Sequence, residues 1–235
     1  RASFIKLGED EYFRTYYENQ RRYRRKWDER HVASSEQAAK LRPILESARR
    51  SKGVLIFPPS VGWAIDLFQR PQHLARAAAR DGYTVVYDCS TGPDQVDVAS
   101  EIEPRLFLFR GDLEWLSELS EPTLWTFPYN YGYRDLFAGN SRVVYDWIDD
   151  LDIFPYDQDE LARIHERALR EADIVCCVAH ALHRKAMQLR PDAIYLPNAA
   201  ELERFEREPE PNPARSDPAF SALLASGKPI AGYYG

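Results

Sequence analysis

The sequence predicts an α/β fold: a doubly wound, mostly parallel, Rossmann-like sheet preceded by a helical extension. Three observations carry this. The runs Val54 to Phe57, Thr84 to Tyr87 and Arg142 to Tyr145 are β-branched or aromatic, bounded by turn residues and too short for helices. Stretches with apolar residues at helical spacing alternate with them, the order expected of β-α-β units. A chain of 235 residues also has room for one such domain plus appendages.

Taken in order, residues 9–30 read as a helix with Phe13, Tyr16, Gln20, Tyr23 and Trp27 on one face. Arg14, Arg21, Arg22, Arg24, Arg25 and Lys26 surround them. Two readings are open: an aromatic face docked on protein with the arginines solvated or paired, or a basic, aromatic face that binds nucleic acid or makes peripheral contact with an anionic membrane. A second helix spans about Ser34 to Arg50, with Ser34 and Gln37 as a capping box and Pro43 as a kink or restart. After Gly53, the all-apolar run Val54 to Phe57 is a buried parallel strand, and Pro58 to Trp63 is a loop. Leu67 to Arg80 is a helix with Leu74, Ala75 and Ala78 inward, stopped by Asp81-Gly82. Thr84 to Tyr87 then completes a β-α-β unit with a right-handed crossover.

Strands are expected at Arg105 to Phe109 and Leu124 to Phe127, with a short helix near Asp112 to Leu119 between them. Beyond the strand Arg142 to Tyr145, Asp157 and Glu160 open a helix with Leu161, Ile164, Ala168 and Leu169 inward. A strand Asp173 to Val178, a helix Ala179 to Arg190 with Leu182, Ala186 and Leu189 inward, and a strand Ala193 to Leu196 complete the alternation. The stretch from Glu206 is Pro-rich, charged and aperiodic, as a linker is. The expected organisation is therefore 1–52 helical extension, 53–205 Rossmann-like domain, 206–227 linker, and 228–235 the first strand of a further domain.

A net charge of −6 argues against a dedicated nucleic-acid binder. No apolar run approaches the ~20 residues that span a bilayer, and nothing resembles a signal peptide, so a cytoplasmic protein is expected. Cys89, Cys176 and Cys177 form no C-x-x-C pair, so buried free thiols are expected and a metal site is not. The first residue is Arg1 rather than Met, which reads as a piece of something longer.

The chemistry concentrates after Tyr145, where Asp146, Asp149, Asp150 and Asp152 crowd together with Trp147 and Phe154. Ligands of open α/β sheets sit beyond the carboxyl ends of the strands. Carboxylates crowded there repel one another, which raises at least one pKa toward a general base's range. The competing reading of each aspartate is a helix cap or a solvated turn. The G-x-G-x-x-G, G-x-x-x-x-G-K-[ST] and G-x-S-x-G motifs are all missing.

Several segments together resemble a known family. F-Q-R-P-Q-H-L-A-R-A-A-A-R-D-G-Y-T-V-V-Y (Phe68 to Tyr87) is similar to the R-P-Q-H-L-A-R stretch of GT-B glycosyltransferases. R-V-V-Y-D-W-I-D-D resembles the V-V-Y-D-x-x-D-D strand end of a bacterial subgroup of family-four-like enzymes, and Glu171 to Leu182 resembles their A-D-L-V-x-x-x-S strand-helix. Leu196 to Phe205 is similar to L-P-N-G-V-D-x-x-x-F, and the closing I-A-G-Y-Y-G to I-G-Y-F-G. The order spans about residues 53–235.

This resemblance implies the amino-terminal, acceptor-binding half of a glycosyltransferase acting in bacterial envelope polysaccharide synthesis. The donor would be a nucleotide sugar, with no other cofactor, and the acceptor a glycan or lipid-linked molecule. Where related enzymes end a strand with histidine, this chain has Asp146, which cannot copy that role. Asp146, Asp149 and Asp150 become the candidate catalytic residues, the last two orienting acceptor hydroxyls. Gly62 in the Pro58 to Trp63 loop, with Arg70 and His73 at the following helix start, would suit a diphosphate. The other reading pairs Arg70 with Asp66 and half-buries His73. Trp63, Tyr129, Asn130 and Asn198 complete the substrate-binding candidates, while Trp125, Tyr131 and Tyr133 serve as stacking platforms or as packing. Residues 16–28 also resemble the tail of a family-two, GT-A-type domain. A GT-B-like nucleotide-sugar epimerase and a non-catalytic carbohydrate-binding or scaffold domain are the alternatives.

Overall fold

The computed structural model describes residues 35–137, 139–199 and 217–229. The arginine-rich helix expected at 9–30, Ser34 of the expected capping box and nearly all of the strand expected at 228–235 lie outside them. The chain divides into two compact units, one ending at Pro197 and one beginning at Asn198.

The first unit is built on strands β1 (Val54–Phe57), β2 (Thr84–Asp88), β3 (Ala99–Glu103), β4 (Leu106–Phe109), β5 (Thr123–Thr126), β6 (Arg142–Trp147), β7 (Ile174–Cys177) and β8 (Ile194–Tyr195). Their order in the sheet is β3-β4-β2-β1-β5-β6-β7-β8. Every pairing is parallel except β3 with β4. Helices α1 (Ser35–Ala48), α2 (Arg70–Arg80), α3 (Gln158–Glu171) and α4 (His180–Ala186) cover it.

Because strand side chains alternate, the sheet buries two separate cores. Ile56, Val86, Val143, Tyr145 and Trp147 pack with Ile44 of α1, Leu169 of α3 and Leu182 of α4. Leu55, Phe57, Val85 and Tyr87 pack with Ala75 and Ala79 of α2. Helices thus cover both faces, as a doubly wound sheet requires.

The structure corrects several sequence expectations. β6 runs on to Trp147, so Asp146 lies inside the strand rather than beyond it. The helix expected from Leu67 starts at Arg70, since Pro71, which has no N–H, belongs in the first turn, and the Gln69 N–H is held by the Gln72 side chain at 2.7 Å. The helix expected near Asp112 is a 3-10 helix, Leu113–Glu118. α4 stops at Ala186, where a tight turn takes over, and Leu189, expected inward, is exposed. The antiparallel edge strand β3, A-S-E-I-E, was not expected, because exposed charged residues hide its pairing from any apolar pattern. Finally, a helix α5 (Pro218–Ala225) stands within the expected linker, its first turn capped by the Asp217 carboxylate and opened by Pro218.

Candidate functional site

Strand order reverses between β1 and β5, so the crevice beyond their carboxyl ends is the place where such sheets take ligands. The loops leaving these two strands are tied together there. Asn130, buried, donates from Nδ2 to the Pro59 carbonyl at 2.9 Å and to the Pro58 carbonyl at 3.4 Å. Its Oδ1 accepts from the Phe127 N–H at 2.7 Å. Asn130, a substrate-binding candidate, is therefore a clamp between loops. Beside it the Ser60 and Tyr129 hydroxyls share a hydrogen bond of 2.6 Å.

Tyr129 is the centre of an aromatic cluster. Its ring stacks on Phe127 at 5.8 Å and on Tyr156 at 6.1 Å, and meets Phe154 edge-on at 5.4 Å. Burial pushes the Tyr129 hydroxyl up; the Ser60 hydrogen bond opposes this, and charge at Tyr156, Asp146 and Asp149 adds to it. Partial burial first, and the Asp150 charge second, raise the pKa of Asp149 itself. Asp150 is ion-paired with Lys185 at 2.6 Å.

The loop after β1 is differently occupied than the phosphate-facing role implies. Gly62 is buried, and a Cβ there would lie 2.6 Å from the Gly92 Cα, so glycine is required for two loops to touch. The Gly62 carbonyl accepts from Gln72 Nε2 at 2.9 Å. The next two N–H groups, of Trp63 and Ala64, donate to the Asp94 carboxylate at 2.7 and 2.9 Å. An internal carboxylate thus sits where an anion was expected. The Trp63 ring packs edge-on against Phe68 and Tyr87, with the Arg76 guanidinium over its face. His73 is half-buried and lies against Phe68.

Arg70 pairs with Asp146, not with Asp66. Nε reaches Asp146 Oδ2 at 2.8 Å and Nη2 reaches Oδ1 at 3.2 Å, while Trp125 Nε1 donates to Oδ2 at 3.0 Å. Asp146 is fully buried and both its oxygens accept hydrogen bonds, which suits a holder of Arg70 better than a proton acceptor. Trp125 also stacks on Phe57, and Tyr131 is a core residue. Asn198 opens the second unit.

On the other face of β6, the Tyr145 hydroxyl meets His165 Nδ1 at 2.6 Å and the Trp147 ring lies 4.2 Å from the imidazole. Burial, with Lys185 adding, pushes His165 down to about 4. At the end of β2, burial pushes Asp88 up to about 6 against the pull of Ser90 and Arg110. Ser60, Asp94, Tyr156 and His165 were not singled out from the sequence, and Phe154 was noted only as a neighbour of the aspartates. Only the Phe154-Pro155-Tyr156 run carried a signal, its aromatics lying just past a strand end. Among the described residues no group of three or more His, Cys, Asp or Glu is placed to hold a metal, and no helix is long and apolar enough to cross a membrane.

No family model matches this chain, and no curated protein matches it. Among solved structures, sucrose-phosphate synthase from Thermosynechococcus elongatus is similar over 73% of this chain and 98% of that one, at 14% identity and a TM-score of 0.39. The α/β assignment stands on the sheet itself, through its strand order and its helices on both faces.

Proposed function

We propose that this chain is the acceptor-side domain of a GT-B-type glycosyltransferase that moves a sugar from a nucleotide sugar to a glycan or lipid-linked acceptor in bacterial envelope polysaccharide synthesis. One observation carries the reading. The crevice at the strand-order reversal gathers Ser60, Tyr129, Phe154 and Tyr156, and the segment that leads from β6 to Phe154 carries Asp149, whose carboxyl is raised by burial and by Asp150. Aromatic faces with hydroxyl and carboxylate acceptors at their rim are the chemistry that holds a sugar ring. Of the segments that resemble the family, one contains β6, one contains β7 and one begins directly after β8, three neighbouring strands of the sheet.

In this reading Asp149 accepts a hydrogen bond from an acceptor hydroxyl, and Asp150 holds Lys185 beside it. Asp146 is a positioning residue acting through Arg70. The donor nucleotide sugar is bound chiefly by the other half of the enzyme. The work is cytoplasmic, with the arginine-rich amino-terminal segment available for contact with the inner membrane face.

Saturation-transfer difference NMR tests this on the chain itself, with short oligosaccharides, nucleotide sugars and a polyprenyl-phosphate analogue as probes. Signal from oligosaccharides or the analogue, lost in Asp149→Ala and Tyr156→Ala, is the expected result. Strong signal from nucleotide sugars alone would reverse the assignment of halves, and silence from all three would remove it.

A further inference from the structure

The Arg70–Asp146 pair reaches further than the two residues. Arg70 Nη2 also donates to the Leu196 carbonyl at 3.1 Å, and Nη1 to the Pro197 carbonyl at 3.3 Å. These are the last two carbonyls of the first unit. They follow β8, which is two exposed residues long and pairs with β7 alone. So short an edge strand has little stability of its own, and among the described residues no further strand lies beyond it to satisfy these carbonyls. The Arg70 side chain is 10% exposed and that of Asp146 is 0% exposed, so the guanidinium is held in place by buried, charge-assisted contacts.

We infer that Arg70 is the anchor that fixes where the chain leaves the first unit, and that Asp146 and Trp125 are the residues that aim it. The planar fork of arginine is what the arrangement needs. One guanidinium edge lies along a carboxylate while the remaining donors turn toward the exit backbone, and a lysine ammonium cannot do both. Since Arg70 is also the first residue of α2, directly after the loop from β1, one side chain ties the crevice loop's end to the exit strand. This goes beyond the proposed activity and stands whether or not a sugar is transferred.

Hydrogen–deuterium exchange on the whole chain tests it, comparing wild type with Arg70→Lys, Asp146→Asn and, as a control on the same helix, Arg76→Lys. Arg70→Lys and Asp146→Asn are expected to speed exchange at residues 194–196 by about tenfold or more, with β1 and β2 unchanged. The control is expected to leave 194–196 as in wild type. Unchanged exchange at 194–196 in Arg70→Lys, or equal acceleration across the sheet, overturns the anchor. Should Asp146→Asn not fold, Arg70→Lys decides the matter alone. Loosening by Arg70→Lys with a folded, unaffected Asp146→Asn overturns the part assigned to Asp146.

Discussion

His165 and Asp88 make opposite and separable contributions to the pH dependence of stability. His165 has a folded value of about 4 against 6.5 for a free imidazole, so between these pH values the unfolded chain binds the extra proton. Its contribution is fully present above pH 6.5 and is lost as pH falls toward 4. Asp88 has a folded value of about 6 against 3.8, so here the native state binds the extra proton. Its contribution is present below pH 3.8 and is lost as pH rises through 6. Over pH 4 to 6 the two slopes oppose each other at roughly 1.4 kcal/mol per pH unit each. Wild type should therefore show little net dependence from this pair. His165→Gln removes one slope, so the difference between wild type and variant should grow in wild type's favour by about 2–3 kcal/mol from pH 4 to 6.5, allowing for the partial exposure of the ring. Asp88→Asn should change the difference in the opposite sense over pH 4 to 6. Urea unfolding followed by tryptophan fluorescence at half-unit pH steps gives both curves, since titrations common to wild type and variant cancel in the difference. A wild-type minus His165→Gln difference that stays flat across this range would refute the reasoning, because it would mean that His165 titrates alike in both states.

Other perturbations probe the loops and caps. Gly92→Ala places a Cβ 2.4 Å from the Gly62 Cα, backbone against backbone, so the two loops must part. A loss of about 1–3 kcal/mol in thermal or urea unfolding is expected, and an unchanged midpoint would show the contact to be loose. Asn130→Ala strips partners from two proline carbonyls and the Phe127 N–H, and should lower stability by about 2–3 kcal/mol in the same assay. Asp217→Ala removes the cap accepted by the Ala219 and Phe220 N–H groups and should weaken α5 by about 1 kcal/mol, seen as faster exchange of those amides with the first unit unaffected.

The sheet was largely legible because parallel strands buried on both faces leave unbroken apolar runs. Val54 to Phe57 matched a strand residue for residue, and Thr84 to Tyr87 fell one residue short of Asp88. What escaped was decided by distant partners. A-S-E-I-E pairs because β4 offers an edge, not because its own composition asks for a strand. The sequence placed Asp146 past its strand, since a charge ends an apolar run; the structure keeps it within the strand because Arg70, 76 positions away in the chain, neutralises it. The same holds for the crevice. Tyr129 and Asp149 were visible as residue types in the right places, whereas Asp94 closing on the Trp63 and Ala64 amides depends on two glycines meeting across loops. Short-range pattern reaches strand ends, and long-range electrostatics decides what happens there.

The most direct test of the account is where a ligand lands. Backbone amide chemical-shift mapping with the best oligosaccharide or polyprenyl-phosphate probe should move resonances of residues 59–61, 127–131 and 148–156, the segments that surround Tyr129. Shifts confined to the opposite, amino-terminal ends of the strands, or to helix surfaces away from this crevice, would contradict it.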